Sequence, residues 1–160
     1  MDVPSERTEW VLLAYRLPRE PSTPRIALWR KLRRLGAAQV VDGLVALPRD
    51  SRTQEQLEWL ADEVLEAGGE ATVWLGRPGS AVQERALATR MAATVAAEYE
   101  AVVEAARAAR DKEPAARRRA LARLRRALRT IQARDYFPPP EREQARQEVE
   151  ELAELTEVAP

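Results

Sequence analysis

Ala38-Gln-Val-Val-Asp-Gly-Leu-Val-Ala-Leu-Pro48 consists of two short apolar runs around an Asp-Gly pair. Asp42-Gly43 favours the tight primed turns that join hairpin strands, so Ala38 to Val41 and Leu44 to Leu47 are expected to be paired strands. Pro48 lacks a backbone N–H and ends the second run. Just upstream, Gly36 stops a helix that begins at Thr23-Pro24, where a hydroxyl can cap and Pro tolerates the first helical position. Ile26, Leu28, Trp29, Leu32 and Leu35 supply its buried side, and Arg25, Arg30, Lys31, Arg33 and Arg34 crowd the rest. Before that helix, Glu9 to Leu17 is apolar on both alternating sets, as in a strand covered on both faces. Downstream, Thr53 to Ala67 carries Leu57, Leu60, Val64 and Leu65 at helical spacing and stops at Gly68-Gly69. Glu70 to Leu75 is then a fourth strand. The resulting β-α-β-β-α-β order predicts an α+β, ferredoxin-like unit over residues 9–76.

Gly76-Arg-Pro-Gly-Ser80 is a linker to an all-helical second half. From Ala81 to about Asp111 one long helix bears a stripe of Leu87, Met91, Val95, Tyr99 and Val102, which needs a partner. Pro114 opens a second helix in which Leu121, Leu124, Leu128 and Ile131 alternate steps of three and four, so the two helices should pair as an antiparallel hairpin. After Pro138-Pro-Pro140, a last amphipathic helix runs from Glu141 to about Glu157. At 160 residues the chain is expected to be a single domain over 1–160, with the helical extension at 81–157.

Composition removes much chemistry. There is no Cys and no His, so thiolate catalysis, thiolate metal sites and the commonest general base are absent. Basic and acidic residues balance at 26 each, so attraction to an anionic partner must come from local clustering. The start, Met1-Asp-Val-Pro-Ser-Glu, does not resemble a signal peptide, and no apolar run is long enough for a membrane span; a cytoplasmic location follows as an expectation. No convergent carboxylate set is visible, and Asp42 is explained by its turn. The expectation is a non-enzyme with no catalytic residues, metal or cofactor.

Two basic clusters remain. Arg117, Arg118, Arg119, Arg123, Arg125, Arg126, Arg129 and Arg134 follow one another with no acid between Pro114 and Asp135. Such a helix can neutralise nucleic-acid phosphates, with Arg118, Arg119, Arg125, Arg126 and Arg129 as candidates and Arg30 and Arg34 of the first helix beside them. The alternative is that the arginines are satisfied internally, by the acidic last helix, or by a protein partner, which would make the chain a protein-interaction or structural module. The other cluster is a candidate oxyanion pocket from Arg16, Ser22, Thr23 and Arg25, for sulfate, phosphate or chromate, since helix-start amides and guanidinium groups both bind such anions. Against it, Ser-Thr-Pro is an ordinary helix start and Pro24 removes one amide. Trp10 and Trp74 can share a sheet face, but Leu44 to Leu47 offers no ring for base stacking, which argues against an RNA-reading sheet. The four Trp residues are expected to be core and interface anchors.

Trp10-Val-Leu-Leu-Ala-Tyr-Arg-Leu-Pro18, Pro21-Ser-Thr-Pro-Arg25, Leu28-Trp29-Arg30, Leu35-Gly36-Ala37 and Gly43-Leu-Val-Ala-Leu-Pro48 resemble the N-terminal domain of the ChrB family of chromate-resistance regulators. The resemblance continues through Ala97-Glu98-Tyr99, Leu121 to Ile131, Ala133-Arg134-Asp135-Tyr136-Phe137 and the closing helix, roughly Glu9 to Leu155. A more distant similarity is to PaaX-type repressors, where a Cas2-like unit forms a dimerisation region. Cas2 nucleases carry an Asp at the end of strand one, where this chain has Tyr15-Arg16, so that likeness implies fold and not hydrolysis. The resemblance implies a transcriptional regulator that binds DNA, responds to chromate and forms a homodimer. Many family members carry a further C-terminal domain, and no helix-turn-helix reader is evident in this sequence.

Overall fold

The computed structural model describes residues 8–158. In chain order the elements are β1 (Trp10–Arg16), α1 (Thr23–Leu35), β2 (Ala38–Val41), β3 (Leu44–Pro48), α2 (Ser51–Glu66), β4 (Glu70–Gly76), α3 (Ala81–Ala109), α4 (Pro114–Gln132) and α5 (Glu141–Val158). They form two compact units that divide inside α3, one up to Ala88 and the other from Thr89 onward.

The first unit is a four-stranded antiparallel sheet in the order β2-β3-β1-β4 with α1 and α2. Register places Val11 and Leu13 beside Leu47 and Val45 on one face, all buried. α2 packs against β1 and β4, and its Leu57, Leu60, Ala61 and Val64 complete this core together with Leu28 and Leu32 of α1. The opposite face carries Leu12 and its cross-strand partner Trp74, together with Trp10. Trp10 is buried and its indole N–H donates to the Glu84 carboxylate at 3.0 Å, whereas Trp74 is exposed.

Several local expectations change here. α2 starts at Ser51, two residues before Thr53, because Asp50 caps it: the Thr53 N–H donates to Asp50 Oδ1 at 2.8 Å and the Asp50 N–H donates to Thr53 Oγ1 at 2.9 Å. Of the four Trp residues only Trp10 is core; Trp29, Trp59 and Trp74 are exposed. Ile26, Trp29 and Leu65 also lie outside the core, since α1 and α2 each turn only a narrow apolar stripe inward. The β2–β3 turn is not of the primed kind. Among the described residues only glycines have positive φ, so Asp42 lacks the left-handed backbone a primed turn requires, and an irregular register in β2 between Gln39 and Val41 absorbs the difference.

Gly43 takes φ +78, and a Cβ there would sit 2.6 Å from the Tyr15 carbonyl oxygen, while the Tyr15 N–H donates to the Gly43 carbonyl at 2.8 Å. Gly43→Ala is therefore expected to destabilise the first unit by about 2 kcal/mol, combining the left-handed penalty with the clash. All four Trp residues precede Ala88, so the urea midpoint read by Trp fluorescence measures it; an unchanged midpoint would contradict the turn geometry.

In the second unit α3, α4 and α5 share one core. Val95, Tyr99, Val102, Val103, Ala106 and Ala109 of α3 meet Ala120, Leu121, Leu124, Leu128 and Ile131 of α4 and Ala145, Val149, Leu152 and Ala153 of α5. α3 and α4 run antiparallel, as their stripes predict: Arg117 donates to the Arg110 carbonyl at one end and Arg134 meets Glu98 at the other.

Candidate functional site

The first candidate is a groove in the sheet unit. It has a volume of about 800 Å³ and is lined by Tyr15, Arg16 and Leu17 at the end of β1, Arg25, Ile26, Trp29 and Arg30 on α1, and Asp42 and Gly43 at the hairpin turn. Helical spacing explains the α1 contribution, because positions 25, 26, 29 and 30 fall on one side of a helix whose buried side is Leu28 and Leu32. Arg16 is held by Glu70 at 2.6 Å, both side chains being exposed. Among the described residues Arg25 and Arg30 have no ion-pair partner. The Arg33 guanidinium stacks on the Trp29 ring at 4.8 Å from its centroid. Burial, and then the nearby Asp42 charge, push the Tyr15 phenol upward, so its hydroxyl remains a donor through neutral pH.

Two of the four residues expected in an oxyanion pocket, Arg16 and Arg25, thus come together, and the other two do not. Ser22 occupies the N-cap of α1 and makes no side-chain cap bond, Thr23 is the first helical residue, and neither lines the groove. Tyr15, Trp29, Arg30 and Asp42 take that place. The signal for Trp29 was its spacing, since Ile26 and Trp29 interleave with Arg25 and Arg30 on the basic side and not on the Leu28–Leu32 side.

The second candidate is the outer face of α4. Arg118, Arg119, Arg123, Arg125, Arg126 and Arg129 are all exposed and lie opposite the buried Ala120, Leu121, Leu124, Leu128 and Ile131. The pairing with α5 that the charge pattern suggested is not what forms. Glu148 and Glu151 of α5 are engaged by Arg107 and Arg110 of α3. Among the described residues the six outer arginines of α4 have no ion-pair partner, and Glu150 makes none with Arg125 or Arg129, although all three line one shallow groove. Arg117 differs, being 9% exposed with its Nη1 on the Arg110 carbonyl at 3.3 Å. Arg134 also faces inward, donating through Nε and Nη2 to Glu98 Oε2 at 3.1 and 2.6 Å. Arg30 and Arg34 are exposed on α1, in the other unit.

A further pair fastens the helices. The Tyr99 hydroxyl donates to Asp135 Oδ2 at 2.7 Å, and Arg142 stands 3.7 Å from the same oxygen, with the Asp135 side chain fully buried. Ala97-Glu98-Tyr99 and Arg134-Asp135 therefore supply two clamps between α3 and the turn after α4. No group of three or more metal-ligating side chains occurs among the described residues. Among them, too, no helix is long and apolar enough to cross a membrane.

Residues 25–158 match a family model described as Protein ChrB, N-terminal. The chain belongs to the ChrB N-terminal family. Protein ChrB of Cupriavidus metallidurans is 31% identical over 138 residues, which are 84% of this chain and 42% of that protein. The chain thus spans about two fifths of the length of the curated relative it matches. No solved structure matches it. The ChrB N-terminal match takes in the whole outer face of α4, both clamps and the α1 side of the groove, and begins after β1 and Arg16.

Proposed function

We propose that the chain is a non-catalytic, cytoplasmic regulatory protein of the chromate-resistance type, acting as a homodimer and binding DNA through the outer face of α4. The observation that carries this reading is the six exposed, unpaired arginines on one helix face. Such a face is costly by itself. Like charges at i, i+3 and i, i+4, as in Arg119–Arg123 and Arg126–Arg129, weaken an isolated helix by roughly 0.2–0.5 kcal/mol each. Arg117 to Arg119 also sit near the positive end of the helix dipole, and the first turn has no acid to offset them. Phosphates along a duplex would relieve both penalties. Over the 11 helical steps from Arg118 to Arg129 the face is about 16 Å long, comparable to half a turn of B-DNA. The β-α-β-β-α-β order with strands β2-β3-β1-β4 supports the ferredoxin-like assignment, and β2 and β4, the edge strands among the described residues, are where a second copy would add cover. Membership of the ChrB N-terminal family supports the regulatory role. The groove with Arg16, Arg25 and Arg30 would take the anion to which the protein responds.

The alternative of an interaction module has the α4 arginines satisfied internally or by a protein partner, and the engagement of Glu148 and Glu151 by α3 weighs against its internal form. The test is a fluorescence anisotropy titration against the chain's own promoter fragment and a scrambled duplex at two salt concentrations, with and without chromate. Salt-sensitive binding that favours the promoter and weakens with chromate is expected. Absence of binding at low salt would defeat the DNA-binding reading, and binding indifferent to chromate would defeat the anion response.

A further inference from the structure

We propose that the groove between α1 and the β2–β3 turn is a binding site for an aromatic carboxylate, its ring lying against Trp29 and its carboxylate held by Arg25 and Arg30. The inference rests on the anion-binding part of the proposed function and narrows it to an organic monoanion, with chromate as the competing occupant; the DNA-binding part stands apart.

Size is the first argument. At about 800 Å³ the groove falls within the 300–1,000 Å³ typical of organic ligand sites. A bare tetrahedral oxyanion is only a few times the ~30 Å³ share of one water and would leave most of that space to solvent. Lining is the second. Tyr15, Leu17, Ile26 and Trp29 offer apolar and aromatic surface, which a small inorganic anion does not use. Ile26 is 46% and Trp29 53% exposed, both on the side of α1 away from its buried leucines. Arg33 braces the indole by stacking on it, so the ring is held in place while much of it stays open.

Charge is the third argument. Arg25 and Arg30 have no partner among the described residues, and guanidinium groups bind carboxylates bidentately. Asp42 lines the same groove and Arg16 is already engaged by Glu70, so the site opposes more than one added negative charge. A monoanion with a flat apolar body satisfies these demands together: two free guanidinium groups, a braced indole, a phenol that donates, and one carboxylate that limits the charge.

The test uses the ¹⁵N-labelled full chain and its four indole N–H signals, with Trp29→Phe assigning the relevant one. 2-Naphthoate is the probe; 2-naphthylmethanol, sulfate and chromate are the comparisons. A saturable shift of the Trp29 indole signal with 2-naphthoate is expected, weakened at least tenfold by Arg25→Gln with Arg30→Gln and not reproduced by the neutral alcohol. The exposed Trp59 and Trp74 signals should stay in place and so report any indiscriminate binding. No Trp29 shift with 2-naphthoate, or an equal one with the alcohol, would overturn the proposal. If sulfate or chromate shifts the signal and 2-naphthoate neither shifts it nor competes, the groove is an inorganic-anion site, and this inference falls while the anion-binding reading survives. If no anion acts, both fall.

Discussion

Changing Arg118, Arg119, Arg125 and Arg126 together to Gln is expected to weaken DNA binding at low salt by at least about 100-fold and to flatten its salt dependence. Each phosphate contact releases counterions and contributes about 0.9 to the slope of log K against log salt, so losing four should reduce the slope by roughly 3–4. The side chains are exposed and make no ion pairs among the described residues, so the fold should survive; removing like-charge repulsion should leave α4 no weaker. Arg107→Gln is the matched control. Its guanidinium is taken by Glu148 at 3.0 Å, and its loss should leave the slope unchanged. An unaltered slope in the fourfold variant would remove the α4 face from the interface.

Tyr99→Phe is expected to destabilise the helical unit by about 3 kcal/mol, well above the cost of an average hydrogen bond. The Asp135 carboxylate is fully buried; Oδ2 accepts from Tyr99, and Oδ1 has no hydrogen-bond partner among the described residues. Deleting the hydroxyl leaves a buried carboxylate with only Arg142 at 3.7 Å for compensation, and a buried charge stripped of its partner is penalised far more than a neutral group. For a unit of this size the loss corresponds to a Tm decrease of roughly 10–20 °C in the helical CD signal. Trp fluorescence reports the sheet unit separately. The same contact has an alkaline signature. Burial, then the hydrogen bond to Asp135, hold the Tyr99 phenol well above its ordinary value of 10.0. The folded state therefore favours the protonated phenol: this stabilisation is complete below about pH 10 and is lost as pH rises toward the folded value. The stability gap between the native chain and Tyr99→Phe should narrow above pH 10. A gap that is constant with pH, or a Tm loss of only a degree or two, would show that the clamp does not hold the bundle.

Much of the fold was legible because each element carries its own punctuation. Gly36 and Gly68-Gly69 stop α1 and α2, Pro114 starts α4, and the Leu121–Leu124–Leu128–Ile131 spacing marks its buried stripe. These are local signals, set by backbone dihedrals and helical period, and the elements fall within a residue or two of where they were expected. Where the reading shifted, a neighbour intervened: Asp50 moved the start of α2 by capping it, and the register irregularity in β2 replaced a primed turn.

The candidate site was less legible, and the reason is physical. Composition and spacing place arginines on the outside of α4 and acids on α5, but which guanidinium meets which carboxylate depends on how the helices lie against one another. α3 engages Glu148 and Glu151, and the α4 arginines, on the side of their helix away from its buried stripe, pair with neither. Glu98, Tyr99, Arg134 and Asp135 were visible as family marks, while their pairing spans about 36 residues of chain and exists only once α3 and α4 pack. The groove follows the same rule: Arg16 and Arg25 were suspected from β1 and α1 separately, but Asp42, Tyr15 and Trp29 join them only because the sheet brings the end of β1 beside the hairpin turn and the open side of α1. Periodicity and caps act over a few residues and are written in the chain, whereas charge pairing and cavities act through space and arise from packing.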